Sequence, residues 1–152
     1  MKLRAVTAAD GDALHAIFTQ PGVRRFLFDD IEVTREQTQA HVEAATTHDA
    51  WVICEGEAVV GFVSLRPTGD DVELMVAIGE QCWGRGLAYE ASRAAMHHGF
   101  EIQGRRRILA SVDLPNERSH KLMKRLGFTS IGESHGPLNR LRHYEALRRS
   151  GT

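Results

Sequence analysis

Two short stretches carry residue types that could do chemistry. The first is Gln81-Cys82-Trp83-Gly84-Arg85-Gly86-Leu87-Ala88, set between an apolar run and a helical pattern. The first turn of a helix leaves backbone N–H groups unpaired and carries a partial positive charge. Glycines just ahead of it let the backbone approach a ligand closely. Together these features make a cradle for phosphate. The plainer reading is that Gly84 and Gly86 only turn the chain from strand to helix. Two other phosphate-binding patterns do not fit. The Walker loop ends in Gly-Lys-Ser/Thr, and the dinucleotide fingerprint needs a third glycine near Tyr89; neither is present. The second stretch is Asn116-Glu117-Arg118-Ser119, followed by Leu126-Gly127-Phe128. Asn116 after Pro115 is a good helix N-cap, and Gly127 a good helix stop. A capping side chain at a sheet edge can also face a ligand.

Other reactive residues are less organised. Cys82 has no paired histidine to make it a covalent nucleophile. The eight histidines include the adjacent His97 and His98, which point to different faces of a helix. No His-x-x-x-His spacing occurs, so no metal site is expected.

The elements that must position these stretches follow from hydrophobic period and punctuation. Residues 3–6 read as a strand. Thr7 and Asp10 resemble a capping box opening a helix, whose Leu14, Ile17 and Phe18 share one face. Pro21-Gly22 breaks it, a short helical piece covers 23–28, and Thr34 caps a helix running toward residue 47. Strands at 51–55 and 58–66 flank the Glu55-Gly56-Glu57 turn. A turn at 67–71 leads to a mostly apolar strand at 72–78, expected in a central position. A long helix then runs to about residue 103, with Leu87, Ala91, Ala94, Ala95 and Ile102 as its buried stripe. A strand at 107–112, a helix at 116–126 and strands at 128–131 and 142–147 complete the chain. Hairpins alternating with helical crossovers predict an α/β (α+β) fold, with a mixed, mostly antiparallel sheet of 6–7 strands and helices on both faces.

Composition bounds the rest. The chain has 152 residues, 42% apolar and 26% charged, which predicts one soluble domain over 1–152. No run approaches the ~20 apolar residues of a bilayer span, and residues 1–4 do not open a secretory signal. Two cysteines, Cys54 and Cys82, read as reduced thiols, which predicts a cytoplasmic protein. A net charge of −1 gives no reason to expect nucleic acid or an anionic membrane. Basic residues cluster at 105–107 and 140–149, either as solvated surface or as a local anion site.

Taken together, strand, Q-x-x-G-x-G, helix, strand, N-x-x-S, helix and L-G-F resemble the GNAT acetyltransferase superfamily, most closely over residues 59–128. Glu73-Leu74-Met75-Val76-Ala77-Ile78-Gly79, Glu90-Ala91 and the early Pro21, Val23, Arg25 and Phe26 look like its Rim-type branch, which acetylates protein N-termini. The resemblance implies an acetyl-CoA-dependent N-acetyltransferase acting on a primary amine, either a protein N-terminus or a small molecule. Backbone amides of Gln81, Cys82, Trp83, Gly84, Arg85, Gly86, Leu87 and Ala88 would then hold the coenzyme A pyrophosphate. The strand ending at Ile78 would bulge, splay from its neighbour and pair with the pantetheine arm, with the Val76 N–H facing the developing oxyanion. Asn116 would bond the pantetheine, and Arg85, Arg118 or Lys121 an outer phosphate. Glu73 stands where this branch carries a strand glutamate, which makes it the candidate base. Met123 occupies the position of the family's usual tyrosine acid, so Ser119 is the closest replacement and Tyr144 a second candidate. The early helices and the 135–139 loop would wall the acceptor pocket, with Phe26, Phe28 and Trp51 as candidate lining. Domains of this family often pair, which makes a homodimer the default expectation. The competing reading, favoured by Met123, is an acyl-CoA binder or sensor without catalysis.

Overall fold

The computed structural model describes residues 1–149; residues 150–152, included in the expected domain, lie outside that range. Seven strands form one sheet in the order β1-β2-β3-β4-β5-β7-β6. They are β1 (Lys2–Ala5), β2 (Asp49–Glu55), β3 (Ala58–Thr68), β4 (Asp71–Ile78), β5 (Arg107–Asp113), β6 (Thr129–His135) and β7 (Arg140–Leu147). Only the β4–β5 pair is parallel. The helices are α1 (Gly11–Phe18), α2 (Pro21–Leu27), α3 (Arg35–Ala45), α4 (Leu87–His97) and α5 (Glu117–Leu126). The mixed sheet between helical layers is the architecture expected from the sequence.

Each face of the sheet has its own core. Helices α1 to α3 bury Leu14, Ile17, Phe18, Val23 and Val42 against Val52, Phe62 and Ala77. On the other face, Leu87, Ala91 and Ala95 of α4 and Met123 of α5 pack on Leu65, Leu74, Ile108 and Ala110. Side chains alternate along a strand, so β4 feeds both cores. Val72, Leu74 and Ile78 point to the α4 side, and Ala77 to the α1 side with Met75 beside it. Glu73 therefore shares the face of Met75 and Ala77.

The β4–β5 pairing is confined to the register Glu73↔Leu109, after which the strands diverge. The expected bulge in β4 is absent. Its pairing with β3 is unbroken from Thr68↔Asp71 to Gly61↔Ile78, and the register shifts lie at Ile53/Cys54 and Ser130/Gly132. Divergence of two parallel neighbours, and not an inserted residue, opens the gap.

Other boundaries moved for local reasons. The β3–β4 turn tightens to Gly69-Asp70, because Pro67 and Thr68 pair with Val72 and Asp71. The long helix ends at His97 and finishes in a wider turn, His98–Ile102, which leaves Ile102 71% exposed and outside the expected stripe. Strand β6 continues to His135 although every residue but Ser134 is exposed. It has no apolar alternation, and pairing with β7 is what makes it a strand. The box at Thr7 survives through Asp10, whose carboxylate accepts from the Thr7 N–H at 2.8 Å and from Arg4 at 2.8 and 3.1 Å.

Candidate active site

A cleft of about 690 Å³ opens where β4 and β5 part. Its walls come from α2, β4, the glycine loop, β5 and both ends of α5. At one end lies the loop before α4. Gly84 and Gly86 have φ of +79° and +78°, a left-handed conformation that costs a residue with a Cβ roughly 1–2 kcal/mol. No side chain caps α4, so its first-turn N–H groups are left to other partners. Helices α3 and α5, in contrast, are capped by Thr34 and Asn116. Arg118, Lys121 and Arg125 of α5 line the cleft beside this uncapped end. Free helical amides with three cations nearby fit the phosphates of a coenzyme A moiety.

Most of the residues singled out in the sequence meet here. Glu73, Val76, Ile78, Cys82, Trp83, Gly84, Gly86, Leu87, Ala88, Asn116 and Ser119 all line the cleft. Gln81 and Arg85 stand apart from its wall. Arg85 is tied to Glu55 by paired hydrogen bonds, one of 2.7 Å, and the Gln81 amide meets Gln20 at 3.4 Å. Their backbone amides alone remain available to the loop. The Cys82 side chain is buried in the core on the α4 side, so it serves packing. Tyr144 is also buried; its hydroxyl donates to His120 Nδ1 at 2.6 Å, while His120 Nε2 reaches the Asp113 and Leu114 carbonyls. Those carbonyls require a proton on Nε2, which leaves Nδ1 as the acceptor, and Tyr144 drops out as an acid. Phe26 lines the cleft, but Phe28 packs on Phe18 and Trp51 on His98.

Backbone geometry along β4 favours an added strand. Gly79 N–H donates to the Val60 carbonyl at 2.9 Å. By the alternation of an antiparallel ladder, Val76 and Ile78 turn their own groups toward the gap. The Ile78 carbonyl, however, accepts the Trp83 indole N–H at 2.8 Å.

At the other end Glu73 is half-buried and 3.6 Å from Arg66. On the α5 side, Asn116 Oδ1 accepts the Ser119 N–H at 3.3 Å, and its Nδ2 donates to Ser119 Oγ at 3.0 Å. Since Oγ accepts from Asn116, the hydroxyl proton is free to point elsewhere. Sequence reading missed a third group, Ser111, which lines the cleft and meets His143 Nδ1 at 2.9 Å; His143 Nε2 meets Ser134 Oγ at 2.7 Å. Only the cross-strand registers of β5, β7 and β6 bring these three together.

Four arginines of the basic runs are paired with carboxylates. Arg107 pairs with Asp71 and Glu145, Arg140 and Arg142 with Glu133, and Arg148 with Glu101. Arg107 holds the Asp71 carboxyl below the usual carboxylate range through hydrogen bonds. Among the described residues no cluster of side chains could hold a metal, and no helix is long and apolar enough to cross a membrane.

Comparison with known proteins agrees with this geometry. The sequence model of the acetyltransferase (GNAT) domain matches residues 1–129. Spermidine N(1)-acetyltransferase of Escherichia coli K12 is 27% identical over 145 residues, which cover 88% of this chain and 75% of that one. A GNAT-family acetyltransferase from Bacillus anthracis superposes with a TM-score of 0.83 at 19% identity, covering 95% of this chain and 93% of its own. The ribosomal L7/L12 α-N-protein acetyltransferase RimL, solved in complex with coenzyme A, gives 0.79 at 18% identity over 95% and 92%. The chain belongs to the GNAT acetyltransferase family.

Proposed function

We propose that the protein moves the acetyl group of acetyl-CoA to a primary amine, of a protein N-terminus or a small molecule, by direct attack with both substrates held in the cleft. One observation carries the reading. A single cleft passes through the sheet, with uncapped helical amides and three cations at one end and a strand carboxylate at the other.

Acetyl-CoA supplies a thioester carbonyl open to a neutral amine. Amines are largely protonated near neutral pH, so the chain must remove a proton. Glu73 is the cleft carboxylate on the acceptor face and takes that proton, directly or through water. The Val76 N–H, turned into the gap, is placed to donate to an oxygen gaining charge. Ser119, with Oγ accepting from Asn116, has its hydroxyl proton free to hydrogen-bond the departing thiolate, which leaves as the anion because a thiolate is only weakly basic. The uncapped N–H groups of α4, with Arg118 and Lys121, hold phosphate and so fix the thioester in the gap. Much of the remaining acceleration comes from holding the two reactants together.

The first test is calorimetric titration with acetyl-CoA, using ATP as control. Micromolar binding of acetyl-CoA and none of ATP is expected; no binding of acetyl-CoA sinks the reading. Glu73→Gln is then expected to lower kcat/KM by about a hundredfold near neutral pH, and less at alkaline pH where the free amine is already present. An equal loss at every pH removes Glu73 from the proton path. Met123, at the family's tyrosine position, lines the cleft and keeps the sensor reading in play. Tight acetyl-CoA binding with no turnover on any amine would favour it.

A further inference from the structure

Three polar side chains stand in a row on one face of the sheet. Ser111 Oγ meets His143 Nδ1 at 2.9 Å, and His143 Nε2 meets Ser134 Oγ at 2.7 Å. They come from the neighbouring strands β5, β7 and β6, and Ser111 lies directly across from His143 in the ladder. Ser111 lines the cleft, and Ser134 sits on the edge strand, whose other residues are exposed. The row therefore leads from the cleft to the open edge of the sheet. His143 itself is half-buried. Both of its ring nitrogens meet hydroxyls, and a hydroxyl can donate or accept.

Burial fixes the face that the row occupies. Ile108, Ala110 and Val112 of β5, and Tyr144 and Ala146 of β7, pack in the core on the α4 side. Alternation turns Ser111 and His143 to the opposite face. That is the face of β4 that carries Glu73, since Val72 and Leu74 pack on the α4 side. The register Glu73↔Leu109 puts Ser111 one pleat beyond Glu73 on the adjacent strand. Ideal strand spacings make their Cα separation roughly 8 Å, and the parting of the strands adds to it. Glu73 and Ser111 thus stand on the two strands that flank the gap, both in the cleft wall. The other charged groups on this face have partners of their own. Arg107 holds Asp71 at 3.0 Å and Glu145 at 3.2 Å, and Asn139 donates to Asp113 at 3.1 Å.

Turning an ammonium into an amide removes two protons from nitrogen, one before attack and one as the C–N bond forms. In the acetyltransferase reading above, on which this inference rests, Glu73 takes the first. We propose that Ser111 and His143 carry the second out of the cleft. The nitrogen gives its proton to Ser111 Oγ as the Ser111 hydroxyl proton passes to His143 Nδ1. His143 Nε2 then releases its proton to Ser134 Oγ, which passes its own to water. The C–S bond breaks with its electron pair leaving on sulfur. Both hydroxyls end with one proton and the imidazole ends neutral. Exchange with water restores its starting tautomer between turnovers. His143 acts through Ser111 and does not touch the acceptor.

The test measures kcat and KM with spermidine, phenylalaninamide and a short peptide with a free N-terminus as acceptors. Acetyl-CoA affinity is measured by calorimetry and folding by circular dichroism. His143→Gln keeps a hydrogen-bonding side chain but cannot carry a proton. It is expected to lower kcat about a hundredfold, with the acceptor KM and the acetyl-CoA affinity unchanged. His143→Ala is expected to lose as much, and imidazole added to the buffer to restore about a tenth or more of the lost kcat. Ser111→Ala should match His143→Gln and gain nothing from imidazole. An unchanged kcat in either His143→Gln or Ser111→Ala overturns the proposal. A loss that imidazole does not rescue, or one carried by KM, also overturns it and makes the row a brace between strands. Should His143→Gln fail to fold, Ser111→Ala decides alone. A wild type that binds acetyl-CoA and turns over none of the three acceptors is a different result, since it removes the catalytic reading itself.

Discussion

Trp83 does more than its place in a glycine loop suggests. Its indole N–H closes onto the Ile78 carbonyl, and its ring carries the Arg118 guanidinium. It therefore links the end of β4 to the first turn of α5 across the cleft mouth. Trp83→Phe keeps a ring but loses the hydrogen bond, which is worth about 1 kcal/mol. A small drop in Tm and a severalfold weaker acetyl-CoA affinity are expected from thermal unfolding and calorimetry. Gly84 is different in kind. An added Cβ would meet nothing within 4 Å, so only its left-handed φ demands glycine. Gly84→Val should strain the loop and put a branched side chain beside the phosphate cradle. At least a tenfold loss of acetyl-CoA affinity is expected, with a fold that survives by circular dichroism. Unchanged affinity would show the loop to be purely structural.

At the scale of elements, α2 is held by the segment before the glycine loop and not only by its own core. Gln20 Oε1 accepts the Glu80 N–H at 2.8 Å, and the Glu80 carboxylate accepts the Gly22 N–H. Thus α2 begins on the residues that lead into the glycine loop before α4. Glu80→Ala should free the start of α2 while leaving β4 paired. Hydrogen exchange is expected to speed up over residues 21–27 and stay slow over 72–78. The acceptor KM should rise more than the donor's. Uniform exchange across both segments would mean that α2 is fixed by Val23 packing alone.

Across the whole molecule, acid sensitivity should come from carboxylates held by arginine. Hydrogen bonds from Arg4, helped by the Thr7 amide, hold the Asp10 carboxyl below the usual range; Arg85 does the same for Glu55. Their folded-state values are depressed, so their contribution is complete above the unfolded carboxylate pKa of about 4. It is lost as pH falls through the lower folded values. Tm should decline gently from pH 7 to 5, because burial holds His48 below its usual value and the unfolded chain takes up that proton first, and fall steeply below 4. Asp10→Asn should lower Tm near neutral pH and flatten the acid limb; a limb as steep as the wild type's would remove Asp10 from this role.

Much of the architecture was legible in the chain. The Thr34 cap, the Gly127 stop, the apolar run of β4 and the glycine loop before α4 are local signals, and local signals survive in sequence because capping, φ preference and burial act over a few residues. The fold class and the pairing of Gly84 with Asn116 in one site followed from their order. What the sequence could not carry was register and side-chain commitment. It did not foresee that β4 and β5 part without a bulge, that Arg85 and Tyr144 are engaged elsewhere, or that Ser111, His143 and Ser134 align. Each of these depends on residues brought together from distant parts of the chain, where packing decides which hydrogen bonds and ring contacts form.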